Sequence, residues 1–141
     1  MIITILAYKS DSEDTCRGCV TARYGSEFEF KSTMDRHEAA KFLSDFLFKD
    51  MHRGHGESSY DITFLFNGET GADSDWDTDV VQNEIQAGAK SMADAKEVEY
   101  QRQETEKKLQ NETKRLAEVQ KREKEQLKNL QAKYPNAEIS Q

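Results

Sequence analysis

From Asp79 to Lys133 the chain contains no proline and a single glycine, Gly88, and Pro135 stands where a helix would have to stop. Gln, Glu, Lys, Ala and Leu, all good helix formers, dominate this run. Glu104 with Lys108 and Glu118 with Arg122 have the favoured acid-first spacing of four. Acids gather before the run, and Lys121, Arg122, Lys124, Lys128 and Lys133 sit toward its end, matching the helix dipole. The pattern predicts one helix over residues 80–134, on the order of 80 Å long. A small domain is much narrower than that. The distal part is therefore expected to meet a partner, fold back or stay solvated.

Heptad counting tests the partner idea. With position a at 95 and d at 98, six of twelve core sites through residue 133 are apolar, and Leu127 falls out of frame. Residues 105, 116 and 127 also repeat by eleven, so the phase drifts. Val98, Leu109, Leu116, Val119, Leu127 and Leu130 are the residues expected to carry assembly.

The rest of the chain supplies the core. All seven phenylalanines lie between Phe28 and Phe66, and beyond Trp76 only Tyr100 and Tyr134 are aromatic. With 141 residues, there is room for one small core and an appendage. The predicted organisation is a head over 1–71, an acidic joint over 72–79, the helix over 80–134 and a flexible tail over 135–141. The net charge of −7 is uneven: −4 over residues 1–71, −5 over 72–88 and +2 over 89–141. Residues 101–133 carry +4, but acids interleave throughout, which argues for a solvated helix face and against direct nucleic-acid binding. No apolar run is long enough to cross a membrane, and the N-terminus lacks the marks of a signal peptide, so a cytoplasmic protein is expected.

Within the head, residues 2–8 read as a central strand covered on both faces. Lys9–Thr15 reads as a loop. The runs on either side of 24–26 read as a hairpin with Ala22 opposite Phe28 and Val20 opposite Phe30, which would put both phenylalanines in the core. Asp35 is placed to cap a helix whose apolar face is Ala39, Phe42, Leu43, Phe46, Leu47 and Met51, with Lys41, Ser44, Asp45 and Lys49 opposite. Tyr60–Phe66 alternates as a strand with Ile62, Phe64 and Phe66 on one side. The fold class is α+β: a small sheet of about four strands in the order β-β-β-α-β with one packed helix, then a long C-terminal helix of coiled-coil character. Val80, Val81, Ile85, Ala89 and Met92 are expected to cover the second sheet face, making three layers.

Three clusters could carry chemistry. Cys16, Cys19, His52 and His55 supply two thiolates and two imidazoles, a possible zinc set, but the predicted topology holds the pairs on the order of 20 Å apart. Redox work by Cys16 and Cys19 needs a helix N-terminus to stabilise a thiolate, and a strand follows instead. Asp73, Asp75, Asp77, Asp79 and Glu84 fall at positions 1, 3, 5, 7 and 12 of a segment similar to an EF-hand calcium loop, although Thr78 replaces the glycine of the sharp turn. Helix capping and dipole matching explain those acids more simply. No nucleophile elbow, phosphate-binding glycine loop or paired carboxylates in an apolar setting occur. The expectation is a non-catalytic interaction protein that needs no cofactor. It would be a homodimer, or pair with another protein, through the long helix and present its head to a partner. Two alternatives are an inhibitor that blocks a basic surface with the acidic joint, and a calcium-responsive module.

Overall fold

A computed structural model of the chain describes residues 1–70 and 76–135. The elements run β1 (Ile3–Lys9), β2 (Ser12–Cys16), β3 (Cys19–Tyr24), β4 (Glu27–Thr33), α1 (Arg36–Met51), β5 (Asp61–Phe66), β6 (Glu69–Thr70) and α2 (Trp76–Lys133). Met1–Val98 forms one compact unit and Glu99–Gln141 a second. The chain is α+β, with an antiparallel sheet of four strands in the order β4-β1-β5-β6, a packed helix and the long C-terminal helix.

β1 is central, as its β-branched sequence predicts. It pairs with β4 from Ile3 opposite Thr33 to Lys9 opposite Glu27, and with β5 from Ile3 opposite Phe66 to Tyr8 opposite Asp61. The hairpin expected between residues 20–24 and 27–30 does not form. β3 turns back on β2, inside the segment read as a loop, and β4 is taken by β1. The turn is Arg17-Gly18, with φ of 50° and 85°, a two-residue turn whose positive φ values match the twist of a hairpin. Arg23 consequently pairs with Glu13, at 3.2 Å, on the neighbouring strand.

The layers of the head also differ from the three expected. Ile3 and Ile5 of β1, Phe64 and Phe66 of β5, Ala39, Ala40 and Leu43 of α1, and Val81, Ile85 and Ala89 of α2 make one buried cluster, with Met92 packed against it. Both helices thus cover the same face of the sheet, and the head has two layers. They run side by side in the same direction: Arg36 pairs with Glu84, Gly88 faces Ala40, and Lys96 reaches Ser44 and Asp45. A Cβ at Gly88 would stand 3.4 Å from the Ala40 methyl, so small residues set the closeness of the helices. This also explains why Ser44 is buried although it was assigned to the polar face of α1. It lies under α2, donates to the Lys41 carbonyl at 2.7 Å and accepts from Lys96 at 2.9 Å. Met51, assigned to the apolar face, is exposed.

Asp35 caps α1 by accepting from the amides of His37 at 2.7 Å and Glu38 at 3.3 Å. The reciprocal half of the capping box is relayed: Thr33 accepts from the Asp35 amide and bonds Glu38 at 2.9 Å.

Candidate interaction surfaces

The sequence candidates on α2 fall into two groups. Val98 closes the first unit and is exposed. In the second unit Leu109, Leu116, Val119, Leu127 and Leu130 are all at least half exposed or close to it, and no residue from 99 to 135 is buried. Their arrangement is tighter than the heptad count suggests. At 100° per residue, Leu109 and Leu127 are five whole turns apart and share one azimuth. Leu116 lies about 20° away and Val119 and Leu130 within about 80°. Leu127 leaves a heptad frame because the spacing alternates seven and eleven, and eighteen residues over five turns keep the phase of a straight helix. Charges pair along the helix, Glu99 with Arg102 at 2.9 Å, Glu104 with Lys107 at 3.3 Å and Glu112 with Arg115 at 2.8 Å, and Glu112, five turns from Leu130, lies within the arc itself. Glu104 thus uses Lys107 rather than the expected Lys108.

A second surface was not expected. Residues of even number on β1 and β4 point away from the helices, so Leu6, Tyr8, Phe28 and Phe30 share the uncovered face. Phe28 is 60% and Phe30 63% exposed, with ring centroids 6.2 Å apart. Ile2 and Met34, exposed as well, continue the same parity at the strand ends. Two differences from the expected head account for it: β4 pairs with β1 instead of β3, and α2 joins α1 on the other face, leaving the two rings uncovered.

The third feature is a charge cluster built around a buried lysine at the end of β1. Lys9 follows Ile3, Ile5 and Ala7 on the inward face and is only 5% exposed. Its ammonium donates to Glu57 at 2.6 Å and reaches Glu27 at 3.5 Å, while the Tyr60 hydroxyl donates to Glu27. Glu57 also accepts from the Gly54 amide at 2.7 Å, and Asp50 accepts from the Tyr60 amide at 3.2 Å. A cleft of about 320 Å³ opens beside these groups. The Glu57 hydrogen bond raises the Lys9 pKa, outweighing burial. The Tyr60 bond and Lys9 hold Glu27 below its ordinary value, and the Lys9 bond does so for Glu57. Burial pushes Asp50 up. Tyr60 is raised well above its ordinary value by burial and by donating to Glu27. Lys9, Glu27 and Glu57 thereby keep their charges near neutrality. The cluster pins the 52–60 loop to the sheet. Lys9 was legible in principle, because the alternation of β1 carries straight through it.

The ion candidates do not assemble. Cys16 and Cys19 are exposed and face each other across the β2–β3 turn. His55 Nδ1 lies 2.9 Å from Asp14 Oδ1, and His52 bonds Glu97. The His loop therefore lies against the stem of this hairpin, Asp14 being two residues, roughly 7 Å of strand, before Cys16. That corrects the expected separation for His55. Gly56 seals the contact: at φ +78° it brings its backbone so near Asp14 that a Cβ would lie 2.9 Å from the Asp14 Cα. Among the described residues no three His, Cys, Asp or Glu side chains are grouped to hold a metal. Asp73 and Asp75 lie outside the described residues. Asp77, Asp79 and Glu84 are already helical, since α2 begins at Trp76. A calcium loop wraps these positions round one ion, whereas the helix sets residues 77 and 84 about 10 Å apart. Glu84 is instead paired with Arg36.

Among the described residues no helix is long and apolar enough to cross a membrane. Set against protein-family models, curated proteins and solved structures, the chain matches none of them.

Proposed function

We propose that this protein is a non-catalytic interaction module that self-associates through the distal part of α2 and presents its α+β head to a partner protein. The observation that carries this reading is the row Leu109, Leu116, Val119, Leu127 and Leu130. These large apolar side chains are exposed, lie within one narrow arc of a continuous helix, and have no buried residue near them in sequence. A lone helix that is otherwise polar gains little from burial within its own chain, and a second helix along the row supplies what is missing. The regular phase over Leu109–Leu127 favours straight neighbouring helices with little supercoil.

Light-scattering mass as a function of concentration tests it. The full chain carrying Leu109→Glu and Leu116→Glu should self-associate at least tenfold more weakly than the natural chain, with its helical content retained. An unchanged concentration dependence sinks the proposal.

A further inference from the structure

The two edges of the sheet differ. One is β6, only two residues long, the kind of short strand that blunts an edge. The other is β4, seven residues without proline, paired to β1 in unbroken register and exposed along all but its last residue. No strand of the described residues pairs with its outer side. A long, regular edge is a template for another strand.

We propose that β4 pairs with β4 of a second copy of this chain, antiparallel and centred on Phe30, so that two heads share one continuous sheet. The strand's own sequence argues for this occupant and register. Phe30 is the middle residue of Glu27–Thr33, so this centring pairs all seven positions. It sets Glu29 opposite Lys31 of the second copy, twice by symmetry, on the helix-covered side. On the open side Phe30 meets its own counterpart and Phe28 lies opposite Ser32. No like charges face each other. Shifting the centre to Glu29 would instead oppose two glutamates, which is unfavourable. The charges are available for exchange: Glu29 is held loosely by Lys49 at 3.5 Å and Lys31 by Glu38 at 3.9 Å, all at exposed positions where such pairs contribute little. The union also joins two exposed Phe28–Phe30 faces into one apolar surface.

This inference does not rest on the α2 seam, and the experiment separates the two. In the full chain with Leu109→Glu and Leu116→Glu, residual association should be dimeric. Adding Glu29→Lys, or adding Lys31→Glu, should weaken that dimer at least tenfold, because each reversal opposes like charges. Both reversals together should restore it, and Lys41→Glu, an exposed charge change on α1, should leave it alone. Circular dichroism confirms that each variant is folded. A monomer in the seam-broken chain, single reversals without effect, or a double reversal that fails to restore association each overturns the proposal. If breaking the seam changes nothing while the β4 reversals still act, the seam reading fails and this one stands.

Discussion

Along the first part of α2, Val81, Ile85, Ala89 and Ala93 recur every four residues and are buried. Along the second, Leu109, Leu116 and Leu127 recur at seven and eleven and are exposed. Both rows would be read as an apolar helix face, so apolar periodicity alone does not separate them. Side-chain size does. The proximal row shrinks to alanine, beside Gly88, where α1 brings Ala40 and Ser44 close. Small residues in a helix row record a neighbour already in place within the chain. Isolated leucines with charged residues between them leave a row exposed within the chain, the row that the proposed self-association would cover.

The sharpest way to break this comparison is to truncate one side chain in each row. Ile85→Ala removes a fully buried side chain from the shared core and should cost about 3 kcal/mol. Urea unfolding should show that loss at every protein concentration. Leu116→Ala should leave the unfolding free energy of the head within about 0.5 kcal/mol. Its effect should appear only in the concentration dependence of the mass. Equal losses of head stability from both substitutions would mean that the two rows are not different in kind.

Charges divide in the same way, and here pH is the probe. Lys9 has a raised pKa in the folded chain, so its contribution is fully present below its ordinary value of 10.5 and is lost as pH rises through the higher folded value. Glu27 and Glu57 are lowered, so theirs is present above their ordinary 4.5 and is lost as pH falls through the folded values beneath it. Asp50 acts oppositely: raised from 3.8, it subtracts from stability at neutral pH, and acid relieves that cost. The expected profile of unfolding free energy is a plateau between about pH 5 and 10 with a fall on either side. Lys9→Met should lower the plateau by about 2 kcal/mol, since it leaves the largely buried Glu57 carboxylate without its cation, and should erase the alkaline fall that belongs to Lys9. A variant as stable as the natural chain across that range would show that the cluster is only a decorated surface.

Much of the head can be read before any coordinates are known. Ile62, Phe64 and Phe66 alternate onto the buried side, Asp35 caps α1, and Val81, Ile85, Ala89 and Met92 join the core. In each case a strong local rule agrees with the tertiary packing. The pairing of β2 with β3 was hidden because Ser12–Cys16 is polar and acidic, with little of the apolar alternation that marks a strand, and its turn is Arg17-Gly18. The expected pairing of residues 20–24 with 27–30 has wide consequences, since it places Phe28 and Phe30 in a core, leaves β4 without its true partner, and sets His55 far from the strand it touches. The side of the sheet chosen by α2 was also illegible, because covering either face would bury Val81 and Ile85 equally well. The small residues Ala40, Ser44 and Gly88 carried the signal that the two helices share a face. The exposed row on distal α2 was visible in sequence, whereas the open aromatic face was not, since recognising it required the correct register.

The smallest expected effect lies on the distal helix, where Glu112 and Arg115 meet at 2.8 Å with both side chains more than half exposed. In the chain carrying Leu109→Glu and Leu116→Glu, adding Arg115→Ala should slightly lower the helical ellipticity at ~0.01 M salt and do nothing at ~1 M, where screening acts over a few ångströms. Lys9→Met differs: most of its cost should survive high salt, because Lys9 and Glu57 are largely buried, Glu27 alone of the three being open to solvent ions. Arg115 lies next to Leu116, so the salt test also reports on the seam. In a seam-broken chain the pair is fully solvated and the effect should be abolished by salt. In the associated chain a neighbouring helix would exclude water from one flank, and part of the effect should then persist at ~1 M. If the residual effect at high salt is the same with and without Leu109→Glu and Leu116→Glu, no helix lies along that flank, and the contrast between the two parts of α2 would be one of burial alone, with no missing neighbour behind it.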